Sequence, residues 1–327
     1  MIDLPLREAE LIRESDEPVA GAVQRVNGGW ALHDRSGNVV LFDTELRVRA
    51  RIPIPDRFRR GGAYNWDIHP SGGWAAFAGL RHTTCVGADG AVVWESDHPG
   101  LTNVDGDLIL AGVGFHPLRD ELHVFPGTKD DGCSQEDAGY ESACWKVSLP
   151  DLAVSKDESH SEDRWVLFPD GRHTGQSSFD GHNIDGWCCR LSDGACSPGS
   201  SRPVDVHPDG TMWLGEAFGG LWMNPFDEPA DENHEDDEDD EEEEKVTDDD
   251  CYDEAFFLDR ELVIAATDGP VTHELLAAET LQRVARVAYP LDAERWQWMA
   301  SVGDGTWVTT SLAPGADSAR LRHWRLA

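Results

Sequence analysis

Apolar and polar residues alternate with a period of two over short stretches along most of the chain. The stretches are rich in β-branched and aromatic residues, and Gly, Asp, Asn or Pro separates them. This combination is typical of β-strands joined by tight turns. In "NVVLFDTELRVRARIPIP" (38–55) and "HTTCVGADGAVVWESDH" (82–98), two strands flank one short polar turn. The pattern therefore predicts an all-β protein.

One unit of this pattern recurs: an apolar strand, a turn with Pro, Asp or Gly, and a second apolar strand. The copies lie at 23–34, 65–79, 111–127, 164–176, 203–216 and 298–311, with a weaker copy at 254–269. Their turns follow one another at steps of 39 to 51 residues. Steps of this size are the length of one four-stranded propeller blade.

The turn itself is the most specific part of the unit. "NWDIHPSGGWAAFAG" (65–79) and "PVDVHPDGTMWLGE" (203–216) both read Asp-aliphatic-His-Pro-x-Gly before a Trp-containing apolar run. Pro presets φ for a turn and Gly supplies a positive φ. With "FPDG" (168–171) and "HPDG" (207–210), the chain resembles bacterial β-propeller repeat proteins of the WD40-like, YncE-like and TolB-like kind.

That resemblance implies a single domain over residues 1–327, a closed β-propeller of four-stranded antiparallel blades. Seven blades are preferred, and six are the alternative because few residues remain for strands between 210 and 261 once the acidic run is set aside. Residues 6–17 are expected to close the ring as a strand beside 319–327. For "HELLAAETLQRVARVAYP" (273–290) a strand pair is preferred over an amphipathic helix. Fold alone does not define a function.

Charge excludes some partners. The chain of 327 residues has 63 acidic and 27 basic residues, a net charge of −36. Nucleic acid and anionic membranes need a basic surface, so neither is an expected partner. Residues 227–254 contain 19 acidic residues and one Lys. We expect a disordered acidic insertion there, with docking of a basic partner or weak binding of Ca²⁺ or Mg²⁺ as alternatives.

The seven Cys residues contain no C-x-x-C pair. Cys188 and Cys189 are adjacent and would point to opposite faces of a strand, so with Cys196 they do not predict a zinc site. Cys133 and Cys144 could pair only if oxidised. The start of the chain shows no secretory signal, so a cytoplasmic protein with reduced thiols is expected.

Candidate site residues come from the repeated turns and from two polar loops. In Asp67/His69 and Asp205/His207, two residues of one strand share a face, and His116 follows an equivalent strand. On an innermost strand they would line a channel and could hold a metal or act as acid and base. The preferred interpretation is hydrogen bonding to nearby main chain. The loops add Asp130, Asp131, Asp180, His182 and Asp185 as weaker binding candidates.

No nucleophile elbow, phosphate-binding loop or H-E-x-x-H motif is present in the sequence. The leading hypothesis is a monomeric, non-catalytic propeller that binds a protein or small ligand on one face, without a cofactor. The alternative is a metal-assisted propeller hydrolase or lactonase that uses channel-lining Asp, Glu and His.

Overall fold

In the computed structural model almost every described residue outside the turns belongs to a short β-strand, and the all-β prediction is confirmed. The one helix among the described residues is α1 (Asp56–Arg60). No helix in the described part of the chain is long and apolar enough to cross a membrane. The structure describes residues 4–60, 64–98, 101–102, 108–109, 111–116, 118–125, 144–157, 164–168, 171–179, 184–192, 194–226, 252–267, 272–290, 295–312 and 318–327.

The chain divides into two compact units. The first comprises Met1–Val23, Phe168–Gly175 and Asp185–Ala327, and the second comprises Gln24–Leu167 and Gln176–Ile184. The prediction of a single domain over 1–327 stays a prediction. The long strand β1 (Leu6–Val26) begins in the first unit and ends in the second.

The second unit contains successive antiparallel sheets, in which neighbouring strands in sequence are neighbours in space. Its strands are β2 (Gly29–Asp34), β3 (Asn38–Asp43), β4 (Val48–Pro53), which follow β1 in the strand order of one sheet; β5 (Asn65–Ile68), β6 (Trp74–Ala78), β7 (His82–Gly87), β8 (Val92–Asp97); the short pair β9 (Leu101–Thr102), β10 (Leu108–Ile109); and β11 (Gly112–Phe115), β12 (Glu121–Phe125), β13 (Cys144–Ser148), β14 (Val154–Asp157). A further four-stranded sheet, which is not confined to the second unit, has the order β15 (Arg164–Leu167), β16 (His173–Phe179), β17 (Ile184–Arg190), β18 (Cys196–Gly199).

The first unit continues the same arrangement towards the end of the chain. Its strands are β19 (Arg202–Val206), β20 (Met212–Ala217), β21 (Gly220–Pro225); β22 (Tyr252–Phe257), β23 (Leu262–Thr267), β24 (His273–Ala277), β25 (Arg283–Ala288); and β26 (Arg295–Ser301), β27 (Thr306–Leu312), β28 (Ala319–Leu326). Residues 273–290 thus form the predicted strand pair and not a helix.

The beginning and the end of the chain meet in one sheet of the first unit. β1 pairs with β28 in antiparallel register from Ala9↔Leu326 to Val19↔Ala319. The pairing carries an ion pair with one buried partner, because Arg322 is buried and its Nε lies 2.5 Å from a carboxylate oxygen of the exposed Glu14. Closure of a ring of blades by residues 6–17 stays a prediction.

Apolar faces of successive sheets within each unit pack against each other. In the second unit, Leu41 and Ile52 of one sheet join Phe77 of the next sheet in one buried cluster. In the first unit, Leu214 packs with Phe257 in the same manner. The alternating pattern of each strand therefore supplies the apolar residues that hold neighbouring sheets together.

The repeated turns have the predicted chemistry. The Gly72 N–H donates to the His69 carbonyl at 2.7 Å, and the Gly210 N–H donates to the His207 carbonyl at 2.8 Å. Both glycines have positive φ, 73° and 75°. The apolar run after each turn is the second strand of its sheet, so this interpretation of the motif is confirmed.

The acidic insertion needs a correction at its end. It was predicted over 227–254, but residues 252–254 belong to β22. Tyr252 is buried, and the Glu254 carboxylate accepts a hydrogen bond from the main chain of β26, so both residues have a place in the sheet structure. The remainder, 227–251, lies outside the described residues. Within the described residues, β19–β21 form a three-stranded sheet.

Candidate functional site

The two turn aspartates bind main chain of the next sheet along the chain that has more than two strands. The Phe115 N–H donates to Asp67 Oδ2 at 2.7 Å, and the Phe257 N–H donates to Asp205 Oδ2 at 2.9 Å. Asp205 is 0% exposed. Each carboxylate therefore ties the first strand of one sheet to the first strand of the following sheet.

A third acidic residue does the same and was not identified from the sequence. The Met299 N–H donates to Glu254 Oε2 at 2.6 Å, which ties β22 to β26. Glu254 lacks the His-Pro turn that marked the other two acids, and the acidic composition around it favoured a loop. An acid on the first strand of a sheet is the signal that could have identified it.

His69 and His207 are buried, and each contacts the first turn of a later sheet. His207 Nε2 lies 3.0 Å from the Arg260 carbonyl oxygen, and its Nδ1 lies 2.6 Å from Asp209 Oδ1. His69 Nδ1 lies 2.7 Å from the Ser71 hydroxyl, while Nε2 lies 3.4 Å from Asp120 Oδ1. Burial lowers the pKa of His69, so this ring is neutral at pH 7.

The other candidates are placed differently. His116 Nδ1 accepts hydrogen bonds from the Leu118 and Arg119 N–H groups at 3.1 and 3.2 Å, and burial lowers its pKa to about 4. Asp185 lies in β17. Asp130, Asp131, Asp180 and His182 lie outside the described residues. Among the described residues, no three His, Cys, Asp or Glu side chains are grouped as metal ligands.

One cysteine prediction was wrong. Cys189 and Cys196, expected as reduced thiols, form a disulfide across β17 and β18. The two residues are directly opposite each other in the strand register, which brings their side chains to the same face. Cys188 points to the other face and is buried, as strand alternation requires.

The hairpin between β20 and β21 presents an exposed aromatic side chain on a strained backbone. Phe218 and Gly219 form a two-residue turn between the paired residues Ala217 and Gly220. Both have positive φ, 50° and 79°, which is the type I′ conformation. Phe218 is 70% exposed. The first position of this turn favours Asn, Asp or Gly, so Phe there costs about 1 kcal/mol.

The root of this turn is linked to the start of β22. The Tyr252 N–H donates to the Gly219 carbonyl at 2.9 Å. Glu216, just before the turn, pairs with Arg202 and accepts a hydrogen bond from the Gly219 N–H at 3.2 Å. The backbone that carries Phe218 is therefore held on both sides.

Comparison with known proteins shows the fold. The chain is similar to the β-propeller domain of Cps50 (Swd1) from Myceliophteria thermophila, with a TM-score of 0.57 and 12% identity over 98% of this chain and 100% of that one. It is also similar to a structure from a study of two prolyl endopeptidases, with a TM-score of 0.56 and 13% identity over 95% of this chain. There the chain spans 47% of the other protein's length. No protein-family model matches the sequence, and neither does any curated protein.

Proposed function

We propose that the chain is a closed propeller of seven four-stranded blades that binds a partner on one face without catalysis. Support for closure comes from the pairing of β1 with β28 and from the likeness to propellers over nearly the whole chain. The acids Asp67, Asp205 and Glu254, each bonded to the next sheet, support a regular succession of blades. Six blades are the alternative.

The observation that carries binding is the Phe218 turn. A large apolar side chain in contact with water and a non-glycine residue in the left-handed region both reduce folding stability. Strained positions held by their surroundings are found at binding sites, and aromatic side chains are frequent interface anchors. Phe218 is therefore the anchor residue of the proposed binding face.

Charge selects the partner. Residues 231–250 carry most of the acidic run, and Tyr252, bonded to Gly219, follows this run in the sequence. The partner that complements both features is a protein segment with several Lys or Arg residues and an apolar side chain. The charges would speed association, and the apolar side chain would pack on Phe218.

The test uses Phe218→Asn, because Asn tolerates the left-handed conformation and removes the aromatic anchor. Leu152→Asn is the matched control: Leu152 also has a positive φ, 58°, and is 43% exposed. The probes are two fluorescein-labelled peptides of equal charge, one of Arg and Leu residues and one of Arg and Ser residues. Binding is measured by fluorescence anisotropy at physiological ionic strength.

We expect Phe218→Asn to keep or raise the unfolding free energy and to weaken binding of the Arg/Leu peptide about tenfold, as loss of about 1.4 kcal/mol of apolar contact predicts. Leu152→Asn should leave its Kd unchanged. Deletion of residues 231–250 should weaken the binding of both peptides. Failure of the native protein to bind the Arg/Leu peptide more tightly than the Arg/Ser peptide would refute the proposed anchor.

A cytoplasmic location is part of the proposal. It is tested by fractionation of cells that produce the protein, in which the protein should be recovered with cytosolic marker enzymes. Recovery with markers of an oxidising compartment would contradict this location.

A further inference from the structure

In the sheet of β11–β14, a thiol, an imidazole and a carboxylate are linked by successive hydrogen bonds. Glu121 and His123 are two apart on β12 and share a face. His123 is paired with Lys146 on β13, so Cys144, two residues earlier on β13, lies on the same face. His123 Nε2 is 2.7 Å from Glu121 Oε1, and its Nδ1 is 3.7 Å from Cys144 Sγ.

The partners define which ring nitrogen carries the proton. An ionised carboxylate only accepts hydrogen bonds, so Nε2–H donates to Glu121. Burial lowers the pKa of His123, and the ring is neutral at pH 7. The lone pair of Nδ1 is therefore directed at Cys144 Sγ, and the thiol donates to it. This is the nucleophile, base and orienting group arrangement of activated thiols.

The charge that favours proton transfer to His123 is that of Glu121. Its carboxylate would stabilise the imidazolium that forms when His123 takes the thiol proton. Lys146, on the same face, and Arg119 are cations close enough to lower the pKa of His123, and they oppose this transfer. Arg119 Nη2 lies 3.3 Å from Glu121 Oε1 and helps to hold that carboxylate in position.

We propose that Cys144 is a histidine-activated thiol that reacts with small, uncharged hydroperoxides. His123 Nδ1 takes the thiol proton, and the thiolate sulfur attacks the peroxide oxygen that carries a hydrogen. The O–O bond breaks, and sulfur is oxidised to a sulfenic acid by two electrons. The leaving hydroxide, or the alkoxide of an organic hydroperoxide, takes the proton from His123 and departs as water or as the alcohol. Because Cys144 is fully buried, bulky or charged electrophiles are excluded.

The chain provides an internal reference for this reaction. Cys85 is equally buried, but it packs in an apolar cluster with Leu122 and Val147, and burial raises its pKa to about 12. Both thiols would gain equally from any general loosening of the fold. A difference between them reports the chemistry around Cys144.

The experiment exposes the full-length protein to hydrogen peroxide with dimedone present and follows each cysteine by peptide mass spectrometry. Adducts of the sulfenic acid with dimedone and disulfides to Cys144 both count as product. We expect Cys144 to be modified on the order of 100-fold faster than Cys85 at pH 7, the size of general-base assistance. His123→Gln should remove this advantage.

Glu121→Gln tests the positioning role of that carboxylate. The variant should slow Cys144 modification and change its dependence on pH between 5 and 8, while Cys85 keeps its native rate. A role in folding alone would change both cysteines together. If His123→Gln does not fold, the ratio of the two rates in the native protein and the pH profile of Glu121→Gln decide. Equal rates for Cys144 and Cys85 in the native protein, or an unchanged rate in His123→Gln, would overturn the proposal.

Discussion

Replacement of the two turn histidines by Ala distinguishes a structural role from a shared metal site. In His207→Ala, the fold loses the hydrogen bond from Nε2 to the Arg260 carbonyl, worth about 1 kcal/mol. It also loses an edge-on contact with the Phe257 ring, whose centroid is 5.0 Å away, worth about 1 kcal/mol. The partly exposed Asp209 adds little. The expected cost is about 2 kcal/mol.

His69→Ala should cost slightly less. The His69 ring is edge-on to Trp74 and Phe115, at 4.8 and 5.4 Å, and these contacts contribute about 1–2 kcal/mol. The contact of its neutral ring with Asp120, whose side chain is 52% exposed, contributes little in water. The contacts of the two histidines involve different residues, so the costs should add to within about 0.5 kcal/mol in the double variant.

The assay is urea unfolding at pH 7, followed by tryptophan fluorescence, for both single variants and the double variant. If the two units unfold separately, each single variant should shift one transition only. His207→Gln is the control, because its amide can still donate to the Arg260 carbonyl. Metal content is measured in parallel. Removal of a bound ion by either replacement, with a double variant no less stable than a single one, would contradict the structural role.

Three further predictions concern pH, charge and the disulfide. Burial lowers the pKa of His273 to about 3, so between pH 3 and 6.5 the His273 ring takes up a proton only in the unfolded chain. The free energy of unfolding should therefore rise with pH through that window. His273→Gln should reduce the slope of the unfolding free energy against pH by about 1.4 kcal/mol per pH unit. Glu14→Gln breaks the ion pair with the buried Arg322 and should lower the stability measured by thermal unfolding by about 2 kcal/mol. Glu10→Gln breaks the exposed pair with Arg325 and should lower it by less than about 0.5 kcal/mol. Equal losses in the two variants would contradict the argument from the burial of Arg322. The Cys189–Cys196 disulfide closes only a short loop, so its reduction should lower the free energy of unfolding by about 2 kcal/mol at most. Urea unfolding with and without dithiothreitol measures this change, and the stability of the control variant Cys189→Ser should not depend on the reductant.

The strands and turns could be predicted from the sequence because their causes are local. Alternation along a strand decides which residues are buried, and Pro and Gly decide where the chain turns, as at Gly72 and Gly210. The repetition of these local signals was sufficient to identify propeller-type blades. The same reasoning found that Asp67 and Asp205 lie on first strands near turns, but not what they bind.

The partners of these residues were decided by tertiary structure alone. Asp205 accepts a hydrogen bond from the Phe257 N–H, 52 residues further along the chain, because β22 of the next sheet packs beside β19. His123 meets Cys144 only through the register of β12 and β13. Cross-strand pairing depends on which residues lie opposite each other, and a shift of one residue would turn these side chains to the other face. Local pattern determined the elements of this protein, and packing between elements decided its contacts.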